Sequence, residues 1–128
     1  MKLVHLLVLL ATVSLAMPAQ ALPKPEVAKL AQSRVDAAAK VYPGALMLWR
    51  NGNEHLEVVY QWSVRWLAAT LDTAGKTAPA FADHLKRMQD LELQVQDHYK
   101  AGLTNAEEVD AATYYRIEAE FWLARGKN

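Results

Sequence analysis

The chain has 128 residues, with 14 lysines and arginines against 14 aspartates and glutamates, and it contains no cysteine. This balance excludes the concentrated positive charge on which nucleic-acid binding depends, and it provides no polybasic segment for a membrane surface. Without cysteine, disulfides, thiolate zinc sites, covalently attached haem and a lipid anchor on cysteine are excluded as well.

The first 21 residues have the pattern of a cleaved signal peptide. Lys2 supplies a positive charge, residues 3–16 are apolar, and Ala19-Gln20-Ala21 forms a small-x-small cleavage signal. The apolar stretch is shorter than the roughly 20 residues that a membrane-spanning helix needs, and an uncleaved membrane anchor is the alternative interpretation. We therefore predict a periplasmic or secreted protein that is cleaved after Ala21, with no stable membrane span in residues 22–128.

Two helices are predicted in the first half of residues 22–128. Apolar residues recur at three- and four-residue steps over residues 26–50, which is typical of an amphipathic helix. Pro43 predicts a kink or break near Tyr42, because proline removes a backbone hydrogen bond and clashes with the preceding turn. A turn at residues 51–53 and a second helix at residues 56–72 follow. The second helix has one apolar face of Leu56, Val59, Tyr60, Ser63, Leu67 and Leu71, and beside it another of Val58, Trp62, Trp66 and Ala69.

The second half has the same organisation. Thr77 is predicted to cap a third helix with Pro79 in its first turn, where proline has no hydrogen bond to lose. Gly102 ends this helix, and Asn105 with Glu108 three residues later indicates a capping box for a fourth helix. On the third helix one stripe is formed by Phe81, Leu85, Met88, Leu91 or Glu92, Val95 and Tyr99, and the fourth helix carries Val109, Thr113, Ile117, Phe121 and Ala124.

The two halves align at an offset of 50 residues. Trp49 and Gly52 align with Tyr99 and Gly102, and apolar positions upstream align as well. A period of this size, built from helix, glycine turn and helix, indicates two copies of one hairpin. The predicted fold is all-α, with two antiparallel helical hairpins (residues 22–73 and 80–128) joined by a linker at residues 74–79. The hairpins form either a four-helix bundle or an extended coiled-coil pair, and the broad apolar surface of the second helix favours the bundle.

Around the second turn the sequence resembles the hairpin tips of TolC-type outer-membrane efflux proteins. Their aromatic-x-x-Gly-x-x-Ser/Thr-x-x-Asp-Val/Leu stretch is matched by Tyr99, Gly102, Asn105, Glu108 and Val109, and the first turn matches less well at Trp49, Gly52, His55, Val58 and Val59. The resemblance implies a coiled-coil hairpin whose tip meets an adaptor protein in the periplasm. Channel subunits of that family are several times longer and contribute β-strands to a barrel, so the resemblance is limited to the helical hairpins.

Histidines and carboxylates collect at the end of the fold where both glycine turns lie, which we name the tip. His55 and His98 are predicted there with Glu54 and Asp97, and imidazole with carboxylate suits zinc, copper or nickel. Their spacing matches no compact ligand motif. The main interpretation is therefore that these histidines, and His84 at the opposite end, are solvated or capping residues, and no cofactor is predicted. Metal binding at the tip is the alternative.

Aromatic residues are the candidates for a protein interface. Trp62 and Trp66 lie one turn apart on the second helix, and Tyr114 and Trp122 lie on the fourth. At helical spacing such side chains fill a core or a subunit interface more often than they stack a ligand. No motif for nucleophilic catalysis or phosphate binding is present, and we predict that the chain is not an enzyme.

The leading hypothesis is a non-enzymatic, exported helical interaction module. It self-associates or docks on an envelope efflux or adaptor complex through the tip, whose turn residues are Gly52, Gly102, Asn105 and Glu108. The alternative is a periplasmic helical bundle that binds a small ligand or a metal ion through the tip histidines and carboxylates.

Overall fold

The computed structural model describes residues 24–126, which form four α-helices. The helices are α1 (Lys24–Arg50), α2 (Leu56–Leu71), α3 (Thr77–Lys100) and α4 (Ala106–Gly126). No strand occurs among the described residues, so the predicted all-α fold class is confirmed. The predicted signal peptide and its cleavage after Ala21 lie outside the described residues. Within residues 24–126, no helix combines the length and the apolar composition that a membrane crossing requires.

The four helices close on one another as a bundle of two antiparallel hairpins. Helix α1 packs along α2 and α3 packs along α4, while the hairpins meet mainly along α2 and α3. Stacked rings join the outer helices to the other hairpin: Trp49 of α1 lies on His98 of α3, and Tyr60 of α2 lies on Tyr115 of α4, with centroids 4.5 Å and 3.9 Å apart. These contacts require closed hairpins, so the bundle is formed rather than the extended coiled-coil pair.

Helix α1 runs through Pro43 without the predicted break. Pro43 has no N–H to donate to the carbonyl four residues earlier, which weakens the helix at this point. Tyr42 and Ala45 on either side are both buried in the core, and this packing stabilises α1 across the proline. Lys24 and Pro25, the first two described residues, already belong to α1.

The helix ends differ from prediction at α3 and agree with it at α4. Thr77 is the first residue of α3, and the cap position belongs to Lys76, which makes no side-chain capping bond. Residues 77–79, assigned to the linker from the sequence, are therefore helical. Asn105 caps α4 as predicted, because its side-chain oxygen accepts a hydrogen bond from the Glu108 N–H at 2.9 Å.

The two turns at the tip have the same backbone hydrogen bonds. Gly52 and Gly102 have φ values of 76° and 73°, in the left-handed region that favours glycine. Each glycine donates to the carbonyl three residues earlier, and the residue after it donates to the carbonyl five residues earlier at 2.8 Å. Such paired bonds satisfy the last carbonyls of a helix. Both hairpins are thus closed in the same way, while the duplication of the sequence itself stays a prediction.

The glycines offer a matched test of this turn geometry. Gly102→Ala places a Cβ in the left-handed region, and we expect it to lower the free energy of unfolding by about 1 kcal/mol. Gly44 lies inside α1, where nothing lies within 4 Å of an added Cβ, so Gly44→Ala is expected to raise the free energy of unfolding by about 0.5–1 kcal/mol. Urea unfolding followed by circular dichroism measures both. Shifts of the same sign would contradict the expectation.

The core lies on the facing sides of the four helices. Its buried apolar side chains are Ala38, Tyr42, Ala45, Trp49, Leu56, Val59, Leu67, Ala69, Ala80, Met88, Leu91, Val95, Ala112 and Ala119. The predicted inner face of α2 is largely confirmed, since Leu56, Val59, Ser63 and Leu67 are all buried. On α3 the prediction holds for Met88, Leu91 and Val95.

The buried face of α4 carries small side chains. Ile117 and Phe121, which the sequence places on one stripe of this helix, are 51% and 58% exposed. Ala112 and Ala119 are buried instead, and Tyr115 packs against the core beside them. Alanine allows neighbouring helices to approach closely, so the face of α4 with small residues fits the dense interior. Tyr114, Ile117 and Phe121 of α4 are left on the outside.

Candidate functional site

The predicted turn residues of the tip form a clasp between the hairpins. Glu108 accepts a hydrogen bond from the indole N–H of Trp49 at 3.1 Å and another from the hydroxyl of Thr104. Asn105 holds the backbone of Glu108 at the start of α4. Because Trp49 belongs to α1 and Glu108 to α4, this carboxylate joins the two hairpins at the tip and is only partly open to a binding partner.

The tip histidines and carboxylates are not brought together as metal ligands. His55 is exposed, and its backbone N–H donates to Glu54 at 2.8 Å. His98 stacks on Trp49, and its Nδ1–H donates to a backbone carbonyl of its own helix at 3.1 Å. Among the residues that the structure describes, Asp97 included, no three His, Asp or Glu side chains are grouped so that they could hold a metal ion. The geometry therefore gives the metal-binding alternative no support.

The four aromatic residues predicted for an interface differ in their surroundings. Tyr114 is 61% exposed. Trp62 is half-buried against the core, with the guanidinium carbon of Arg65 4.6 Å above its ring. Trp66 and Trp122 are half-buried and contact a polar cluster, Trp66 through Arg87 and Trp122 through His84. Of the four, Tyr114 has the exposure that a protein contact needs.

That polar cluster consists of a serine, a histidine and an arginine in the bundle interior. Ser63 of α2 and His84 of α3 are fully buried, and Ser63 Oγ lies 2.8 Å from His84 Nδ1. Arg87 donates through Nε to Ser63 Oγ at 2.7 Å and through Nη2 to the Ser63 carbonyl at 3.3 Å. Trp122 of α4 stacks on the imidazole with the ring centroids 5.5 Å apart. The cluster therefore ties three helices together.

The surroundings of His84 keep it neutral. Burial, and to a lesser extent the charge of Arg87, lowers the pKa of His84 to about 4. Since Ser63 Oγ already accepts from Arg87, its own proton can be donated to Nδ1, which leaves the imidazole proton on Nε2. Within residues 24–126, His84 Nε2 has no hydrogen-bond partner. A protonated imidazole here would add a second buried positive charge beside Arg87.

The Ser63–His84 pair does not have the surroundings of a catalytic dyad. Both side chains are fully buried, so a substrate cannot reach Ser63 Oγ without opening the bundle. His84 accepts from the Ser63 hydroxyl as an adjacent base would, but Arg87 donates a hydrogen bond to the same oxygen, which makes that oxygen a poorer nucleophile. We interpret the pair as an anchor for Arg87, and the absence of enzymatic activity stays a prediction.

Arg87 lies in the wall of a surface groove between α1, α2 and α3. Its guanidinium carbon is 4.2 Å from the ring centroid of Trp66 and 5.9 Å from that of Tyr42. The groove has a volume of about 390 Å³, and Ala39 and Pro43 of α1 form part of its apolar lining. A guanidinium stacked on two aromatic rings and fixed by two hydrogen bonds is held rigidly in place.

Sequence reasoning missed His84 and, with it, this cluster. His84 was expected to be solvated, yet it lies four residues before Met88 on the buried face of α3. Its partner Ser63 was correctly assigned to the inner face of α2. Where the inner faces of two helices pack together, the polar side chains on those faces are expected to hydrogen-bond to each other, because buried polar groups are nearly always hydrogen-bonded. The sequence signal for this cluster was therefore a histidine on the same helical face as Met88 together with a serine on the inner face of α2.

No protein-family model, no curated protein and no solved structure matches this chain. The resemblance to TolC-type hairpin tips therefore stays a prediction that rests on the turn residues. The function has to be inferred from the chain's own exposed faces and buried charges.

Proposed function

We propose that this chain is a non-enzymatic, exported interaction module that binds a helical protein partner through its outer helices. The observation that carries the proposal is the exposed face of α4. Tyr114, Ile117 and Phe121 are each more than half exposed and follow one another at steps of four residues or fewer along one side of the helix. Large apolar residues at this heptad spacing are typical of a surface that packs against another helix.

Helix α1 has a second exposed stripe of the same kind. Val27, Leu30, Val41 and Leu48 are each more than a third exposed and fall on a and d positions of one heptad register, whose intervening a and d positions hold Arg34, Ala37 and Gly44. Since the hairpins meet mainly along α2 and α3, the outer helices α1 and α4 are the ones left open to a partner. Two such stripes on one small domain favour binding of helices over binding of a single small molecule.

The tip also has exposed apolar side chains. Met47 and Leu48 near the first turn, and Tyr99 and Leu103 near the second, are between 46% and 69% exposed. Docking through the tip is therefore part of the proposal. The finer proposal, that the partner belongs to an envelope efflux or adaptor complex, is supported only by the resemblance to TolC-type tips and by the predicted signal peptide.

Site-specific photo-crosslinking tests the α4 face. A photoreactive residue at Ile117 is expected to give a product with one partner protein or with a second copy of the chain. Phe121→Glu should abolish that product by placing a charge in the contact, while changing the free energy of unfolding by no more than about 0.5 kcal/mol, because Phe121 is exposed. Gln89, exposed on α3, is the matched control position. No product from Ile117, or equal products from both positions, would contradict the proposal.

A further inference from the structure

We propose that the groove beside Arg87 binds a small zwitterion with an apolar body, namely a free α-amino acid with an apolar side chain. The ligand carboxylate would be bound by Arg87 and Tyr42, its ammonium group by Asp83, and its side chain by the apolar lining that includes Trp66 and Pro43. All of these residues line the same groove. The site is separate from the exposed faces of α4 and the tip.

Arg87 is a partly buried cation, and the charge of Asp83 one turn earlier on α3 acts on it from beyond ion-pair distance. Within residues 24–126 it takes part in no ion pair, and burial lowers the pKa of its guanidinium. Ser63 accepts from Nε and Nη2, which leaves further guanidinium N–H groups to donate. Proteins normally compensate a desolvated charge with an opposite one. A ligand carboxylate is the group that fits here.

Tyr42 supplies a second donor to the same carboxylate. Its hydroxyl makes no hydrogen bond with another described residue. Burial, the largest influence, raises its pKa to about 12, so the hydroxyl keeps its proton at neutral pH. Arginine and phenol together form short, charge-assisted hydrogen bonds to a carboxylate. The guanidinium carbon of Arg87 lies 5.9 Å from the ring centroid of Tyr42, and both residues line the groove, so we assign both donors to one ligand carboxylate.

The charges in the lining favour a zwitterion over a simple anion. Lys86 and Arg87 are positive while Asp83 and Asp90 are negative, so the lining carries no net charge. Lys86 pairs with Asp90 at 3.5 Å, which leaves Asp83 to bind an ammonium group. An anion without an ammonium group would meet repulsion from Asp83. An amino acid satisfies Arg87 and Asp83 together.

The rest of the groove suits an apolar side chain. Ala39 and Pro43 present only apolar side-chain atoms, and Trp66 offers a large aromatic surface. The volume of about 390 Å³ lies within the roughly 300–1,000 Å³ of small-molecule sites. The groove is therefore large enough for a single amino acid.

Isothermal titration calorimetry with three related ligands tests the charges on the ligand. L-Phenylalanine is expected to bind saturably, and 2-phenylethylamine, which lacks the carboxylate, to bind at least tenfold more weakly. 3-Phenylpropanoate, which lacks the ammonium group, should also bind several-fold more weakly. If neither L-phenylalanine nor L-leucine binds saturably below about 10 mM, or if 3-phenylpropanoate binds as tightly as L-phenylalanine, the proposal is overturned.

Variants of the chain test the residues. Arg87→Gln should weaken L-phenylalanine binding at least tenfold, whereas Arg65→Gln, which removes an exposed arginine stacked on Trp62, should leave it within twofold. Asp83→Asn, at an exposed position, should weaken binding of L-phenylalanine and leave that of 3-phenylpropanoate equal or stronger. This opposite response cannot come from a loss of folding, so it decides the question even if Arg87→Gln is unstable. Equal effects on both ligands would overturn the proposal.

Discussion

Lowering the pH from 6.5 to about 4 is expected to reduce the free energy of unfolding by about 3 kcal/mol through His84 alone. The pKa of this histidine is near 6.5 in the unfolded chain and about 4 in the folded protein. Between these two pH values the unfolded state binds the additional proton, so stability falls as the pH falls. Above pH 6.5 both states are neutral, and below about 4 both are protonated, so His84 contributes no further pH dependence in either range.

The physical reason is the composition of the buried cluster. Ser63 Oγ already accepts a hydrogen bond from Arg87, and Trp122 covers the imidazole ring. A proton on Nδ1 would turn this nitrogen from a hydrogen-bond acceptor into a donor. It would then face a hydroxyl oxygen that already accepts a hydrogen bond from Arg87. The new positive charge would also be buried beside a guanidinium that itself forms no ion pair within residues 24–126. Protonation therefore favours opening of the bundle.

Urea unfolding at several pH values between 7.5 and 4 measures this effect. Carboxylates titrate in part of the same range, so the informative quantity is the difference between the wild type and His84→Gln. Glutamine keeps a group that hydrogen-bonds to Ser63 and cannot be protonated, so the variant should lose the component assigned to His84. His98→Gln, at a half-buried histidine that stacks on Trp49, is the matched control and should keep that component. Parallel curves for the wild type and His84→Gln would refute the assignment.

The sequence predicts the helices well because their periodicity and turn residues are local properties. The starts of α2 and α4 and the two glycine turns depend on neighbours within a few residues, and they agree with the structure. On the inner faces, the prediction agrees for Leu56, Val59, Ser63 and Leu67 of α2 and for Met88, Leu91 and Val95 of α3. These two helices form the middle of the bundle, so packing strongly constrains which face of each helix is buried.

The buried face of α4 does not follow from the sequence, because this helix has two candidate stripes. One contains Ile117 and Phe121, and the other contains Ala112, Tyr115 and Ala119. Hydrophobicity alone favours burial of the stripe with Ile117 and Phe121, whereas close packing of the helices favours burial of the stripe with the alanines. That distance is a property of the whole bundle and cannot be read from one helix. The same choice leaves the apolar stripe on the outside, where the proposed partner binds.

The groove at Arg87 was not predicted for a related reason. In the sequence, Lys86 and Asp90 form an ordinary surface pair four residues apart, and the structure confirms that pair. Arg87 next to them has no local feature that distinguishes it. Its role depends on two residues of another helix: Ser63 accepts a hydrogen bond from the guanidinium, and the ring of Trp66 stacks against it. Only the closed bundle brings these residues together.

Trp49→Ala is expected to lower the free energy of unfolding by about 3–5 kcal/mol, the usual cost of removing a buried Trp. Trp49 is 5% exposed, stacks on His98 of α3 and donates to Glu108 of α4 at 3.1 Å. Its removal leaves a cavity and takes one hydrogen-bond donor from a half-buried carboxylate. Tyr99→Ala is the matched control, because Tyr99 aligns with Trp49 in the sequence and is 50% exposed. We expect it to cost less than about 1 kcal/mol.

The contrast between these two residues tests how the bundle closes, because two aligned aromatic residues at the same end have opposite surroundings. In an extended pair of equivalent hairpins both rings would have similar exposure, and both substitutions would cost similar amounts. In the closed bundle the ring of Trp49 fills the contact between hairpins and Tyr99 is left outside. Trp49→Phe keeps a large ring but cannot donate to Glu108, so it should recover most, but not all, of the stability lost in Trp49→Ala. Thermal and urea unfolding of the three variants would contradict the closed tip if Tyr99→Ala were as destabilising as Trp49→Ala.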